Sequence, residues 1–275
     1  MKIIVLISTL NDGILSVPDV LLPATEGVQY VVSWQQDGVE TCPQNAPAEL
    51  NRKDVILTTM QGRGLCRNRN QAMSVALHQL SDPLEDAVFV VADDDERLDA
   101  DAFAKIRELY GQHERLDIAL LRVRNSTDGS PLKSYPPALC SYHSRPRSYY
   151  VSSVEMTFRS RVCYAGLRFD ERFGLGSPKL CAGEEDVFLF DALQKGLQVL
   201  IAPIDLCRTD GATTGSRPLD VKVLRSKGAV YGYTRSWPSA FVRSCRESLS
   251  LAVRHRVSAW QVFHNIWYGV KYIRS

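Results

Sequence analysis

Apolar residues along this chain come in two rhythms. Short continuous runs bounded by turn-prone residues predict buried strands: KIIVLIS (2–8), VQYVVSW (28–34), DVILTT (54–59), AVFVVA (87–92), DIALLRVR (117–124) and LQVLIAP (197–203). The stretch SSVEMTFRS (152–160) is strand-like as well. Between these runs the spacing turns helical. Residues 62–80 leave glycines for a face of Met73, Ala76, Leu77 and Leu80. Residues 99–112 form a second helical stretch, with acids in its first turn, and 184–196 a third, acidic at its start and closed by Lys195-Gly196. Strands alternating with helices predict an α/β fold with a largely parallel sheet. Residues 125–150 are rich in Ser, Pro, Arg and Tyr and lack periodicity, which predicts a long functional loop. From about 219 the chain reads as helical, and in 259–273 Ala259, Val262, Phe263, Ile266, Trp267, Val270 and Ile273 form a stripe over four turns.

Composition changes this picture little. The chain has 275 residues, 45% hydrophobic and 23% charged, so it has enough apolar residues for a sizeable core. No run approaches a membrane span. The N-terminal MKIIVLISTLND lacks a small-residue cleavage site and reads as a first strand rather than a signal peptide. Seven scattered cysteines without a C-x-x-C pair argue against a disulfide framework or a thiolate metal site, and favour a reducing, cytoplasmic setting.

Charge is more informative. The net value is only +2, yet residues 222–275 carry ten lysines and arginines against the single acid Glu247. That predicts a basic helical appendage on a mildly acidic domain. Such a tail suits three roles: packing on the catalytic domain, pairing with a second subunit in a homodimer, or lying on the anionic inner face of a membrane. No nucleic-acid-binding motif accompanies the charge, so no nucleic-acid partner is expected.

The chemistry concentrates in three places. VFVVADDDERLD (88–99) runs a strand into four acids. Ligands of open α/β sheets sit at the carboxyl ends of strands, and carboxylates there are hard ligands for Mg²⁺ or Mn²⁺. Asp93 and Asp95 fall on one side of an extended segment, with Asp94 opposite. The residues alone leave open a solvated acidic turn. An EF-hand is excluded, because the loop has no glycine at its sixth position and no acid at its twelfth. GRGLCR (62–67) follows a strand and opens a helix, but Arg67 stands where a dinucleotide fingerprint needs its third glycine. Arg63, Arg67 and Arg69 instead suit an anion at a helix N-terminus, or a basic surface turn. GEEDVF (183–188) offers carboxylates that either cap a helix or supply a general base.

Taken in order, these segments resemble family 2-type inverting glycosyltransferases of the GT-A fold, over about residues 2–203. GLCRNRNQA (64–72) is similar to the family's G-x-x-x-x-R-N-x-(G/A) segment, and VFVVADDDERLD to the strand ending in Asp-x-Asp. GLRFDERFGLG (166–176) resembles G-x-F-D-E-x-F with one extra residue, and GEEDVFLFDALQKG (183–196) resembles the E-D motif with its helix. The resemblance implies a Rossmann-like, mostly parallel sheet flanked by helices. It implies a catalytic domain over 1–218, with a nucleotide-sugar half (1–98) and an acceptor half (99–218), and a helical basic region over 219–275. It further implies that Thr9, Asn11, Asp37, Arg63, Arg69, Asp93 and Asp94 bind a nucleotide diphosphate sugar donor. Asp95, with Asp93, would hold Mn²⁺ or Mg²⁺. Asp186 would be the general base, and Glu185 and Glu184 would bind the acceptor.

The implied reaction is a single displacement with inversion, onto a glycan or lipid-linked glycan of the cell surface such as lipopolysaccharide core or O-antigen. Three segments depart from the family. VVSWQQDG (31–38) retains only Asp37 of an acidic V-D-D-G-S stretch. ISTLND (7–12) replaces a Pro-x-Tyr-Asn turn. DLCRTDGATTG (205–215) lacks the usual histidine, leaving Asp210 as the acid available in its place. Two rival readings remain. A sugar nucleotidylyltransferase requires a glycine-rich segment that STLNDGILS (8–16) does not supply. A non-catalytic nucleotide-sugar or glycan-binding module would keep the fold without the reaction.

Overall fold

The computed structural model describes residues 1–38, 42–82, 85–210 and 217–275. It divides into two compact units, the first comprising residues 1–63, 67–168 and 191–211. This unit holds a nine-stranded sheet: β1 (Lys2–Leu10), β2 (Val28–Gln36), β3 (Val55–Gln61), β4 (Ala87–Asp93), β5 (Arg97–Leu98), β6 (Ile118–Asn125), β7 (Cys140–Ser141), β8 (Met156–Arg159) and β9 (Val199–Thr209). The order is β3-β2-β1-β4-β8-β6-β9-β5, with β7 also on β9. Helices α1 (Leu65–His78), α2 (Ala102–Gln112) and α3 (Ser160–Tyr164) connect the strands.

Strands β3, β2, β1 and β4 are mutually parallel. Seven consecutive residues of β1, Ile3 to Thr9, are buried, because a parallel strand in the middle of such a sheet is covered on both faces. One face packs Val5, Ile7, Val32, Val90 and Ala92 with Phe103 and Ile106 of α2. The expectation of a mostly parallel α/β sheet flanked by helices holds. Its finer pattern adds a device that periodicity does not reveal: β8 runs antiparallel between β4 and β6, with Phe89 opposite Phe158. The first residues of the predicted 152–160 strand form a 3₁₀ turn, Ser153–Glu155.

The topology locates the site before any side chain is considered. From β1 the chain moves outward to β2 and β3, then returns to β4 on the other side of β1. The sheet order therefore reverses between β1 and β4, and the crevice outside their carboxyl ends is where such sheets bind ligands. Ser8 of β1 is in register with Asp93 of β4.

The second unit comprises residues 64–66, 169–190 and 212–275. It contains the start of α4 (Glu184–Gln194) and the helices α5 (Val221–Thr234), α6 (Trp237–His255) and α7 (Ala259–Arg274). Packing thus groups 169–190 with the C-terminal helices, although chain order places it with the sheet. Helices α5 and α7 touch backbone to backbone. A Cβ on Gly228 would lie 1.8 Å from the carbonyl oxygen of Ile266, and one on Gly269 would lie 1.9 Å from that of Arg225. This close approach buries Val262, Ile266, Val270 and Ile273. The stripe that the sequence offers to a membrane is therefore largely the core of a helical unit. No helix among the described residues is long and apolar enough to cross a membrane.

Candidate functional site

The carboxyl ends of β1, β2 and β4 carry a linked set of polar side chains. Asn11 ends β1 in a left-handed conformation, at φ 49°. This turn lets its backbone carbonyl accept the Trp34 indole N–H at 2.9 Å. Its side-chain amide donates to Asp37 Oδ1 at 2.8 Å and accepts from the Asp37 backbone N–H at 3.1 Å. Arg63 forms an ion pair with the other oxygen of Asp37. Trp34 is buried, so it holds the turn rather than offering a stacking face.

A second branch starts from α1. Gly62 and Gly64 adopt φ of 96° and 134°, values open to glycine, and so bend the chain from β3 into α1. Two side chains of α1 then reach the sheet. Asn68 donates to the Thr9 carbonyl at 2.9 Å. Arg69, only 1% exposed, directs Nη2 at both carboxylate oxygens of Asp93, at 3.0 and 3.1 Å, and at Ser153 Oγ, at 2.7 Å. A buried guanidinium retains its charge only where anionic or polar groups surround it.

The four acids that end β4 have four environments. Asp93 is held by Arg69. Asp94 turns toward β1 and accepts the Thr9 hydroxyl. Gly13 makes room for it, since a Cβ there would come within 2.1 Å of Asp94 Oδ2. Burial, then the charges of Asp93 and Asp95, raise Asp94 above the usual carboxylate range. Asp95 is exposed. Loss of solvent within the crowded turn raises it first, followed by the nearby charges of Asp93 and Asp210. Glu96 is 1% exposed and accepts the Asp93 backbone N–H at 3.1 Å. Burial raises Glu96 well above its ordinary value, as does Asp93.

Eight residues named from sequence, Thr9, Asn11, Asp37, Arg63, Arg69 and Asp93 to Asp95, thus belong to one unit and one sheet edge. Asn68, Ser153 and Gly13 join them, and none of the three carried a signal in the sequence: Asn68 falls at an unspecified position of the 64–72 segment. Asp210, on the stretch after β9, accepts the Ser126 hydroxyl. Residues 211–215 of the 205–215 segment lie outside the described residues. An open depression of about 480 Å³ lies at the opposite, amino-terminal edge of the sheet, beside Lys2, Lys53, Asp54 and Glu85, and includes none of these groups.

The remaining carboxylates lie in the second unit. Phe169 stacks on Phe188 with ring centroids 4.7 Å apart, and Phe173 packs with Val187. These contacts anchor the helix start that follows Gly183, at φ 96°. Helical rotation then sorts three consecutive acids: Glu184 is buried, Glu185 half-buried and Asp186 exposed. Gly174 packs against Glu184 and the Cys66 thiol, its Cβ position lying 3.4 and 2.9 Å from them. Asp170 is occupied by Arg172, at 2.6 Å.

Hard oxygen donors at Asp93, Asp95 and Asp210, with mutual repulsion registered at Asp95, are chemically suited to a divalent cation. Among the described residues, no three His, Cys, Asp or Glu side chains are already gathered for a metal. Mg²⁺ and Mn²⁺ sites of this kind use one or two carboxylates and complete themselves with substrate phosphates.

No family model and no curated protein matches the chain. Solved structures do. The crystal structure of S. aureus TarS 1–349 superposes with a TM-score of 0.59 at 13% identity, covering 100% of this chain and 91% of that one. The same TarS fragment in complex with UDP-GlcNAc gives 0.56 at 12% identity, covering 100% and 92%. A longer TarS chain gives 0.56 at 13%, and this chain spans 55% of its length. The likeness establishes a shared fold.

Proposed function

We propose that the protein is a metal-dependent inverting glycosyltransferase that moves a sugar from a nucleoside diphosphate donor to a hydroxyl of a cell-surface glycan. The observation that carries this reading is the joined set Thr9–Asp94, Asn11–Asp37–Arg63 and Arg69–Asp93 at the switch point of the sheet. The fold is shared with TarS, which has been solved with UDP-GlcNAc, so UDP-sugars are the first donors to test.

In this reading Asp37, Asn11 and Thr9 face the nucleoside, and Arg63 faces it or the phosphates. Arg69 acts through Asp93, fixing that carboxylate rather than meeting the donor itself. Asp95, with Asp93 and Asp210, would hold Mn²⁺ or Mg²⁺, which would supply positive charge for the donor's diphosphate. Asp186 is the exposed carboxylate at the start of α4 and accepts the proton of the attacking hydroxyl. Glu185 and Glu184 orient the acceptor. The acceptor is a glycan or lipid-linked glycan, met at the inner face of the cytoplasmic membrane.

Calorimetric titration of UDP-sugars tests the donor assignment. Binding should require Mn²⁺ or Mg²⁺, disappear in EDTA and weaken in Asp95→Ala. Equal affinity in EDTA would overturn the metal role, and equal affinity in Asp95→Ala would overturn that residue's part in it.

A further inference from the structure

We propose that the outer face of α6, with the aromatic edge it shares with α7, docks the protein on an anionic phospholipid bilayer. The inference is independent of the reaction assigned above. Helix α6 presents two distinct sides. Its inner side, Ala240, Ser244, Ser248 and Leu251, is buried. Its outer side carries Val242, Leu249 and Val253, which are 65%, 60% and 82% exposed. With Arg246 these residues follow i, i+4, i+7, i+11 spacing, so they form one stripe pointing away from the buried face.

A separate aromatic edge lies on the flank of α6 that faces α7. Trp237 and Phe241 of α6 are half exposed and pack on Trp267 of α7 at 5.6 and 5.5 Å. Phe263 stacks on Trp267 at 5.8 Å, and Trp260, 72% exposed, stacks on Phe263 at 6.1 Å. Large apolar side chains exposed in such groups mark an interaction site. Tryptophan suits a boundary that is apolar on one side and wet on the other.

Charge selects the occupant. Arg246 lies within the stripe, and Arg254, His255 and Arg256 follow at its end, all exposed. The single acid of the region, Glu247, is engaged by Lys227 at 2.7 Å and Arg243 at 3.7 Å. A second copy of this face would bring arginines against arginines with no acid between them. A lipid headgroup layer supplies the missing phosphates, which guanidinium binds in a forked geometry, and beneath them an apolar phase for Val242, Leu249 and Val253. Of the three roles the sequence left open for the tail, the membrane one thus passes from the stripe of α7 to a neighbouring helix, with Trp260 and the rings of α7 at its margin.

The test is co-sedimentation of the full chain with vesicles of phosphatidylglycerol and phosphatidylethanolamine, or of phosphatidylcholine alone. The wild type should bind the anionic vesicles, bind the zwitterionic ones at least about tenfold less, and lose binding in high salt. The triple variant Val242→Ser, Leu249→Ser, Val253→Ser and the pair Arg246→Glu, Arg254→Glu should each lower partitioning about tenfold or more. Because these side chains face solvent, the melting temperature should not fall; Trp260→Ser provides a single-site check with a smaller loss. Undiminished vesicle binding by the triple variant would overturn the proposal. So would absence of anionic-vesicle binding by the wild type, or a dimer in sedimentation velocity that the triple variant abolishes without any vesicle binding.

Discussion

At the end of β4, four consecutive acids meet four different environments. Asp93 is gripped by Arg69, Asp94 by Thr9, Asp95 lies exposed, and Glu96 is buried against a backbone N–H. At the start of α4, three consecutive acids are turned by the helix into buried, half-buried and exposed positions. The first arrangement depends on side chains from β1, α1 and the Ser153 turn, so its charges are held in fixed places. That suits an anchor for a charged donor. The second turns one carboxylate, Asp186, toward the surface in the first turn of a helix. That suits a group that takes up a proton once per turnover.

Four substitutions probe this contrast, in descending order of expected effect. Asp186→Asn should lower sugar transfer by about 10²–10⁴-fold with donor affinity nearly unchanged, as measured by single-turnover transfer beside donor titration. Full transfer in this variant would remove Asp186 from the mechanism. Arg69→Ala should destabilise the fold by about 1.5–3 kcal/mol in urea unfolding, and it should also weaken donor binding because Asp93 loses its position. A variant as stable as the wild type would show that the Arg69–Asp93 link does not hold the turn. Asp95→Ala should weaken metal affinity by about tenfold or more without a stability loss, since its side chain is exposed. The smallest change is expected for Gly13→Ala. It displaces the Asp94 carboxylate by crowding, at about 1 kcal/mol, with a modest loss in donor affinity. No change in either quantity would mean that Asp94 moves aside freely.

Much of the donor side was legible in the chain. Buried parallel strands declare themselves as continuous apolar runs, and the polar residues just after them must fall at one edge of the sheet. Asp93 and Asp95 could be named for that reason, and the family resemblance added Thr9, Asn11 and Asp37. How they are joined could not. Ser153 reaches Arg69 from 84 positions away, and the gap that admits Asp94 exists because residue 13 is glycine. The 125–150 loop is held in the same hidden way. The Lys133 side chain is 6% exposed, pairs with Glu155 and lies 4.5 and 4.1 Å from the Tyr149 and Tyr150 ring centres. Such contacts leave no periodic trace.

The C-terminal helices show the opposite failure, in which periodicity was plain but its meaning was not. Helices α6 and α7 both carry apolar stripes. Gly228 and Gly269 decide the matter by letting α5 and α7 approach until their backbones touch, which buries the stripe of α7. Helix α6 has one buried side and a second apolar side left in solvent. Hydropathy spacing reports that a face is apolar; the small residues on the neighbouring helix report which face is covered.

Release of free nucleoside diphosphate from a panel of UDP-, dTDP- and GDP-sugars, measured with Mn²⁺ or EDTA and with glycan-containing membrane extract as acceptor, tests the central claim most directly. The account predicts metal-dependent release from one donor, stimulated by acceptor and lost in Asp186→Asn. Tight donor binding without release under any of these conditions would contradict it and leave a sugar-nucleotide-binding protein in place of a transferase.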